Sequence, residues 1–365
     1  MSEQQKQEYL RIVHLLGGLR ALINENQILE IIPCLSKKDN CIGKFDQDLI
    51  NVLYLLKLKP IGIDYFTNID HIKGYYPPEW RLASHYDYLI MSNLTVSIDM
   101  AWSHISSNRT LKDTKLRDLS NRITFFIRSC KYRLREISEA YMNELLILVK
   151  QQQTEERLFS SINTLRTIYA INAFLSDACM LRDRLAEFIA IYVYPDSSEK
   201  KISTFSSLRK YILKESLILN DSFANYLHKI SAQEVEIGWL GEIGLYRDYL
   251  THTGLLNNLQ NSFFMRFDHK VLESNIKLPF LVFPLIDVEK IKHINSNIKT
   301  LDDMQQWRKQ IDELNQKSKK DALEFCFNSL NNLLALASEL IKKSLVKPEI
   351  IQLSADDIIG EIIIS

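Results

Sequence analysis

Apolar residues recur along most of this chain at helical spacing. The clearest run is Leu158, Ile162, Leu165, Ile168, Leu175, Cys179, Ala186, Ile189 and Val193, at intervals of three, four or seven. Those positions form one stripe of a long helix, interrupted by Asn172 and Arg182 and stopped before Pro195 and the polar DSSEKK. The same spacing predicts helices over about 83–106, 113–150, 203–218, 221–231, 301–318 and 320–344, with a shorter stripe at Trp239, Ile243, Tyr246 and Leu250. Residues 6–32 read as one or two helices broken near Gly17 and Gly18, and 33–80 as irregular, with KKDN at 37–40 and YYPPEW at 75–80 as breakers. The apolar KLPFLVFPLI at 277–286 holds two prolines, which argue against a central strand and for an extended segment packed on helices. The terminal IIGEIIIS looks strand-like. The expected fold is all-α, built of long antiparallel helices. It divides into an N-terminal helical extension at 1–80, a helical core at 81–270, and a C-terminal extended segment with helices at 271–365.

Composition strengthens that expectation. The hydrophobic fraction of 46% can fill a large core, and 10 glycines with 8 prolines are few for many short strands joined by tight turns. The 45 basic and 45 acidic residues cancel, so a generally basic nucleic-acid coat is excluded while a local basic face is not. One such face is legible. Nine basic residues between Arg109 and Arg135 meet only Asp113 and Asp118, and Arg128, Lys131 and Arg135 share a helical face suited to phosphates, with Tyr132 beside them for base stacking. The alternative is a solvated face or a partner site. The 5 cysteines form no dense framework, and the polar MSEQQKQEYLR start lacks the apolar stretch of a signal peptide. No apolar run approaches the roughly 20 residues that span a bilayer. A cytoplasmic protein without a membrane partner is expected.

Most site chemistry is absent by pattern. There is no H-E-x-x-H, C-x-x-C, E-x-x-H, P-loop or G-x-G-x-x-G, so neither metal nor cofactor is expected. A Ser-His-Asp set is selected by no local context. What remains is YRDYLTHTG at 246–254, where Arg247 and His252 stand five apart. A chain of this composition holds about one such spacing by chance, so its setting carries the weight. The pair follows an amphipathic stripe, polar Asp248 follows the arginine, and Gly254 permits a bend. Upstream, LSDACMLRDRLAEFIA places Asp183 and Glu187 four apart on one helix face.

Together these features resemble the HEPN family of compact helical proteins with an R-x4–6-H motif, over about residues 81–270. The resemblance implies metal-independent RNA cleavage, as in toxins or antiviral defence, with RNA as substrate and a protein that restrains the activity as a possible partner. His252 would be the catalytic histidine, Arg247 the phosphate-binding arginine, Asp248 the orienting polar residue, and Asp183 the acidic support, with Glu187 second. In the subgroup paired with a nucleotidyltransferase a tyrosine sits two residues after the histidine; here Gly254 does. Imidazole titrates near neutrality and can take a ribose 2′-hydroxyl proton, while a guanidinium steadies charge on the attacked phosphate. Five residues along an ideal helix rotate about 500°, leaving the two positions about 140° apart. The helix must break between them, or a two-fold homodimer must complete the site, with Leu255, Leu256, Phe263 and Phe264 as interface area. The alternative reading is a non-catalytic interaction or RNA-binding protein on the same scaffold.

Overall fold

The computed structural model of the chain describes residues 10–23, 28–35, 41–44, 49–66, 76–91, 94–108, 112–152, 157–195, 202–232, 236–252, 265–272, 276–285, 287 and, with short gaps, 300–348. The fold is mixed α/β, which corrects the all-α expectation. An antiparallel sheet fills much of residues 10–82, where helices and irregular chain were expected. Its strands are β1 (Leu10–Leu15), β2 (Arg20–Ile23), β3 (Ile28–Ile32), β4 (Cys41–Lys44), β5 (Pro60–Phe66) and β6 (Glu79–Leu82). They lie in the order β4-β3-β2-β1-β5-β6, with helix α1 (Leu49–Leu55) between β4 and β5.

The reason for the error is local. Short apolar runs such as LRIVHL fit a strand as well as a helix, and here Gly17 and Gly18 decide. Both have positive φ, 76° and 89°, which lets the chain reverse through Leu16–Gly18 so that β1 pairs with β2, His14 facing Arg20. A Cβ on Gly18 would lie 2.9 Å from the Tyr141 carbonyl carbon, and one on Gly17 2.6 Å from the Phe280 Cβ. The turn is therefore wedged against the long helix and the C-terminal hairpin. The helix expected over 83–106 is also shorter than predicted: a hairpin of β7 (Tyr88–Met91) and β8 (Leu94–Ser97) precedes α2 (Ile98–Ser107).

The helical body follows the periodicity. α3 (Thr114–Lys150) starts where the Asp113 carboxylate accepts the Leu116 N–H at 2.9 Å. It buries Leu119, Ile123, Ile127, Leu134, Ile137, Tyr141 and Leu145, spaced by three, four or seven. α4 (Ile162–Phe188) begins in a capping box at Ser161 and ends in a π-helical turn, Ile189–Val193, just before Pro195. Its buried residues run round much of its circumference, since α3, α8 (Ala322–Lys343) and α7 (Trp239–His252) all pack on it. α5 (Phe205–Lys214) and α6 (Ser222–Ile230) lie between α4 and α7 in sequence. A second sheet joins β9 (Arg157–Phe159), β10 (Met265–Val271) and β11 (Lys277–Val282) in the order β11-β10-β9. Pro279 sits in the edge strand β11, opposite His269, where a residue without an N–H is tolerated. The helix expected over 301–318 falls partly, and IIGEIIIS wholly, outside the described residues.

One apolar core contains Val13 and Ile61 of the sheet, Trp102, Ile123 and Phe188 of the central helices, and Leu330 and Leu334 of α8. The three segments anticipated from sequence thus share a core. Trp102 meets Phe188 edge to face at 5.1 Å with both side chains fully buried, a contact whose truncation to alanine costs about 3–5 kcal/mol.

Candidate functional site

α7 is anchored by its apolar stripe. Leu240, Ile243, Tyr246 and Tyr249 are buried, and the Tyr246 ring packs edge-on against Phe325 of α8 at 4.8 Å. Its entry needs Gly238, where a Cβ would fall 2.2 Å from the Ile230 carbonyl oxygen at the end of α6. With that face buried, Arg247 stands at its flank and Asp248 is exposed.

Arg247 and Asp248 line a cavity of about 240 Å³ together with Arg182 and Asp183 of α4, and Thr204, Phe205 and Arg209 at the start of α5. Three of the four residues taken from the motif and the upstream acid, Arg247, Asp248 and Asp183, are thus brought together. The Asp183 carboxylate accepts the Phe205 N–H at 3.1 Å and the Arg182 Nε–H at 3.1 Å, so it fixes a helix start and a guanidinium at once. The Thr204 hydroxyl accepts the Ser207 N–H at 3.2 Å, which completes the cap of α5. Arg247 Nε lies 3.2 Å from Asp248 Oδ1. Glu187, the second acidic choice, is bound instead to Arg184 at 2.6 Å and Arg122 at 3.5 Å and does not line this cavity. Three arginines against two aspartates leave the lining one charge positive, beside helix N–H groups. Sequence reasoning missed Arg182 and Arg209 as site residues. Arg182 was visible only as a polar break in an apolar stripe, and Arg209 gave no signal.

The helix carrying the motif is continuous through His252, so the five-residue rotation separates the Arg247 and His252 positions around one axis. The His252 side chain, and Leu255, Leu256, Phe263 and Phe264, lie outside the described residues.

The basic stripe on α3 is placed against carboxylates. Arg128 Nε donates to Asp99 at 2.8 Å, and Lys131 Nζ lies 2.6 Å from both Asp87 and Asp99. Arg135 makes a two-pronged pair with Asp64, 2.8 Å for each bond. Burial pushes the Asp87 carboxyl up to about 6 despite Lys131. Burial also opposes ionisation of Asp99, but Lys131, Arg128 and Ser97 outweigh it and hold that group at about 2. Asp64, Asp87 and Asp99 stand at least 29 residues in sequence from the bases they meet, so a local count of charge could not see them, although Arg135 also pairs with Glu139 at 2.9 Å on the next turn of its own helix.

A Ser-His-Asp relay does exist inside the protein. His14 Nδ1 lies 3.1 Å from Ser138 Oγ, and its Nε2 lies 3.2 Å from Asp64 Oδ2. Ser138 is wholly buried, His14 is 2% exposed and Asp64 4%, so no substrate carbonyl can reach the hydroxyl. The set ties α3 to the sheet. Among the described residues no three His, Cys, Asp or Glu side chains are grouped to hold a metal ion, and no helix is long and apolar enough to cross a membrane. Comparison with protein-family models, curated proteins and solved structures finds no match to this chain.

Proposed function

We propose that the chain is a metal-independent endoribonuclease of HEPN type, acting in the cytoplasm as a toxin or antiviral effector. The observation that supports this reading best is the meeting of Arg247, Asp248, Asp183, Arg182 and Arg209 around one cavity of about 240 Å³ with net positive charge. In this reading the arginines hold the scissile phosphate, Asp183 orients the Arg182 guanidinium through its hydrogen bond, and Asp248 lies against Arg247 as an ion pair. His252 takes the 2′-hydroxyl proton, the resulting oxygen bonds to phosphorus as the P–O5′ bond breaks, and the 5′-oxygen leaves as a hydroxyl by taking a proton from water, giving a 2′,3′-cyclic phosphate. Because α7 is continuous through His252, a second protomer supplies the histidine to each cavity. The thiols of Cys130, Cys179 and Cys326, which form no disulfide, suit a reducing compartment.

The continuous helix also favours a second reading, in which the cavity binds an RNA phosphate without cleaving it. One experiment separates the two. Purified protein is incubated with end-labelled RNA in EDTA, beside Arg247→Ala and His252→Ala variants checked for folding by circular dichroism. Catalysis predicts cleavage in EDTA, a loss of at least about 100-fold for either variant, and retained RNA binding for His252→Ala. Binding without cleavage in the parent protein supports the second reading. Full cleavage by folded His252→Ala removes the first.

A further inference from the structure

The six-stranded sheet ends at β6, and among the described residues no strand pairs with its outer side. The hydrogen-bond phase fixes which groups that side presents. β6 pairs with β5 as Gly62–Leu82, Ile63–Arg81, Asp64–Trp80 and Tyr65–Glu79, and Ala83, next in that register, donates its N–H to the Ile61 carbonyl at 3.0 Å. Hydrogen-bonded and open pairs alternate along an antiparallel ladder. Ala83, Arg81 and Glu79 therefore bond to β5, while the N–H and C=O groups of Trp80 and Leu82 point outward. Among the described residues no backbone group meets them there. The ground beside this edge is open. Glu79, Trp80 and Arg81 line a cavity of about 560 Å³, whose other walls include Tyr88, Met100 and Tyr132, each more than a third exposed. Its carboxylates Asp87 and Asp99 are already held by Lys131 and Arg128, so its unmet capacity is the strand edge and the apolar flank.

An unpaired edge is a template for a further strand, and charge selects which one. Glu79 and Arg81, each about half exposed, stand on either side of Trp80 and on one face of the sheet. An antiparallel strand with an acid opposite Arg81 and a base opposite Glu79 reads acid, any residue, base from its N-terminus. That is the order of Glu79, Trp80 and Arg81 themselves. Three two-fold registers match outward groups with outward groups along this strand. The one centred on Arg81 sets two guanidinium groups face to face. The one centred on Leu82 sets Arg81 opposite Ala83. The one centred on Trp80 sets Glu79 opposite Arg81 of the second copy twice over, and Trp80 exchanges both backbone bonds with its symmetry mate. Leu82 then donates to the Pro78 carbonyl, and the missing N–H of Pro78 ends the ladder. We propose that β6 of two copies pairs antiparallel about Trp80, joining the two sheets into one and bringing each copy over the flank of Tyr88, Met100 and Tyr132 on the other. Glu79 and Arg81, which bond within one chain at 2.9 Å, become a row of four alternating charges across the axis. A short charged strand behind Pro77 and Pro78 resists joining unlike strands, while its own charge order is accepted. The pairing uses no residue of the arginine-lined cavity and does not depend on the ribonuclease reading.

Sedimentation velocity of the full chain at low salt, over about 1–100 μM, reads the pairing. Reversible association of the parent is expected. Arg81→Glu sets acid opposite acid and Glu79→Arg sets base opposite base, and each alone should weaken association by about tenfold or more. An equimolar mixture of the two variants restores opposite charge at every position and should associate as the parent does, in one-to-one pairs. Both positions are half exposed, and thermal melts verify that the variants fold. Amide exchange at Trp80 and Leu82 should slow as the parent is concentrated, and not in either variant alone. Association at another surface would not respond to the two reversals. A parent that does not associate at about 100 μM, a single variant that associates as tightly as the parent, or a mixture no more associated than its parts would each overturn the pairing.

Discussion

Replacing Lys131 with methionine keeps most of the side-chain volume and removes the ammonium that Asp87 and Asp99 share. Both carboxylates sit between the hairpin, α2 and α3, at 2.6 Å from that nitrogen. Removing one partner from a buried ion pair costs roughly 3–5 kcal/mol, because the remaining charge has lost both water and counterion. At roughly 2 °C per kcal/mol for a chain of this size, melting should fall by about 5–10 °C.

The pH dependence gives the sharper signature. Asp87 already has a folded-state carboxyl at about 6, above the ordinary 3.8. Its folded form therefore keeps a proton that the unfolded chain has released, and that contribution is lost as pH rises through about 6. Without Lys131 the folded value moves higher still. The variant should then lose less stability at pH 5, where Asp87 is protonated and only Asp99 has lost its ammonium partner, than at pH 8, where both are ionised. Thermal unfolding followed by circular dichroism at both pH values, for both proteins, measures this. An equal loss at pH 5 and pH 8, or a melting point within about 1 °C of the parent, would refute the counterion argument. Asp87→Asn in the Lys131→Met background should recover part of the loss.

Gly18→Ala should be severe, about 3 kcal/mol or more, since it puts a Cβ at φ 89° and 2.9 Å from the Tyr141 backbone; urea unfolding measures it, and a cost under 1 kcal/mol would mean the turn can shift. Asp183→Ala removes the acceptor of the Phe205 N–H and Arg182 and should cost about 1–2 kcal/mol; hydrogen exchange at Phe205 should accelerate, and unchanged protection would show that Thr204 alone caps α5.

Long helices were legible because their apolar positions repeat over many turns. The expected 113–150 and observed Thr114–Lys150 nearly coincide, with Asp113 as the cap. The sheet was not legible, because its strands are four to seven residues long and one of them, EWRL, has no apolar run at all. The low glycine count misled as well: only Gly17 and Gly18 among the described glycines carry positive φ, yet they suffice to turn the first hairpin. At the sites the same division holds. Arg247 and Asp248 are adjacent in a motif, and Asp183 lies on a periodic helix, so the local pattern found them. Arg209 joins them only because α5 starts at Asp183, a tertiary fact. The basic stripe shows the converse failure. Its helical face was read correctly, but Asp64, Asp87 and Asp99 come from other elements and occupy it.

The buried relay of Ser138, His14 and Asp64 permits a last prediction, because its atoms resemble a hydrolase triad while its burial assigns it to structure. Burial, with the charges of Arg20 and Arg135, lowers the His14 imidazole to about 4, against the opposing hydrogen bond and charge of Asp64. Asp64 is itself held below the ordinary carboxylate range: burial opposes this, but His14 and Arg135 outweigh it. His14 is therefore neutral in the folded protein at neutral pH, wedged between Ser138 and Asp64 with the Trp80 edge beside it. An unfolded histidine takes a proton near 6.5 and the folded one only near 4, so the unfolded chain binds more protons between those values. Stability supplied by this group is complete above about 6.5 and is lost as pH falls toward 4, by about 3 kcal/mol over the interval. Asp64 adds its own loss only below the ordinary carboxylate value. Asp87 and Asp321, both raised to about 6, slope the other way, so the wild-type curve alone mixes the terms. Subtracting the curve of His14→Gln removes Asp87 and Asp321, whose shifts His14 does not cause, and leaves His14 with its partner Asp64. The wild-type-minus-variant difference in unfolding free energy should decline by about 3 kcal/mol from pH 7 to pH 4. A flat difference would show that the imidazole takes its proton at the same pH in the folded and unfolded chain. A fluorophosphonate that labels Ser138 in the native protein would show instead that the relay opens to substrate.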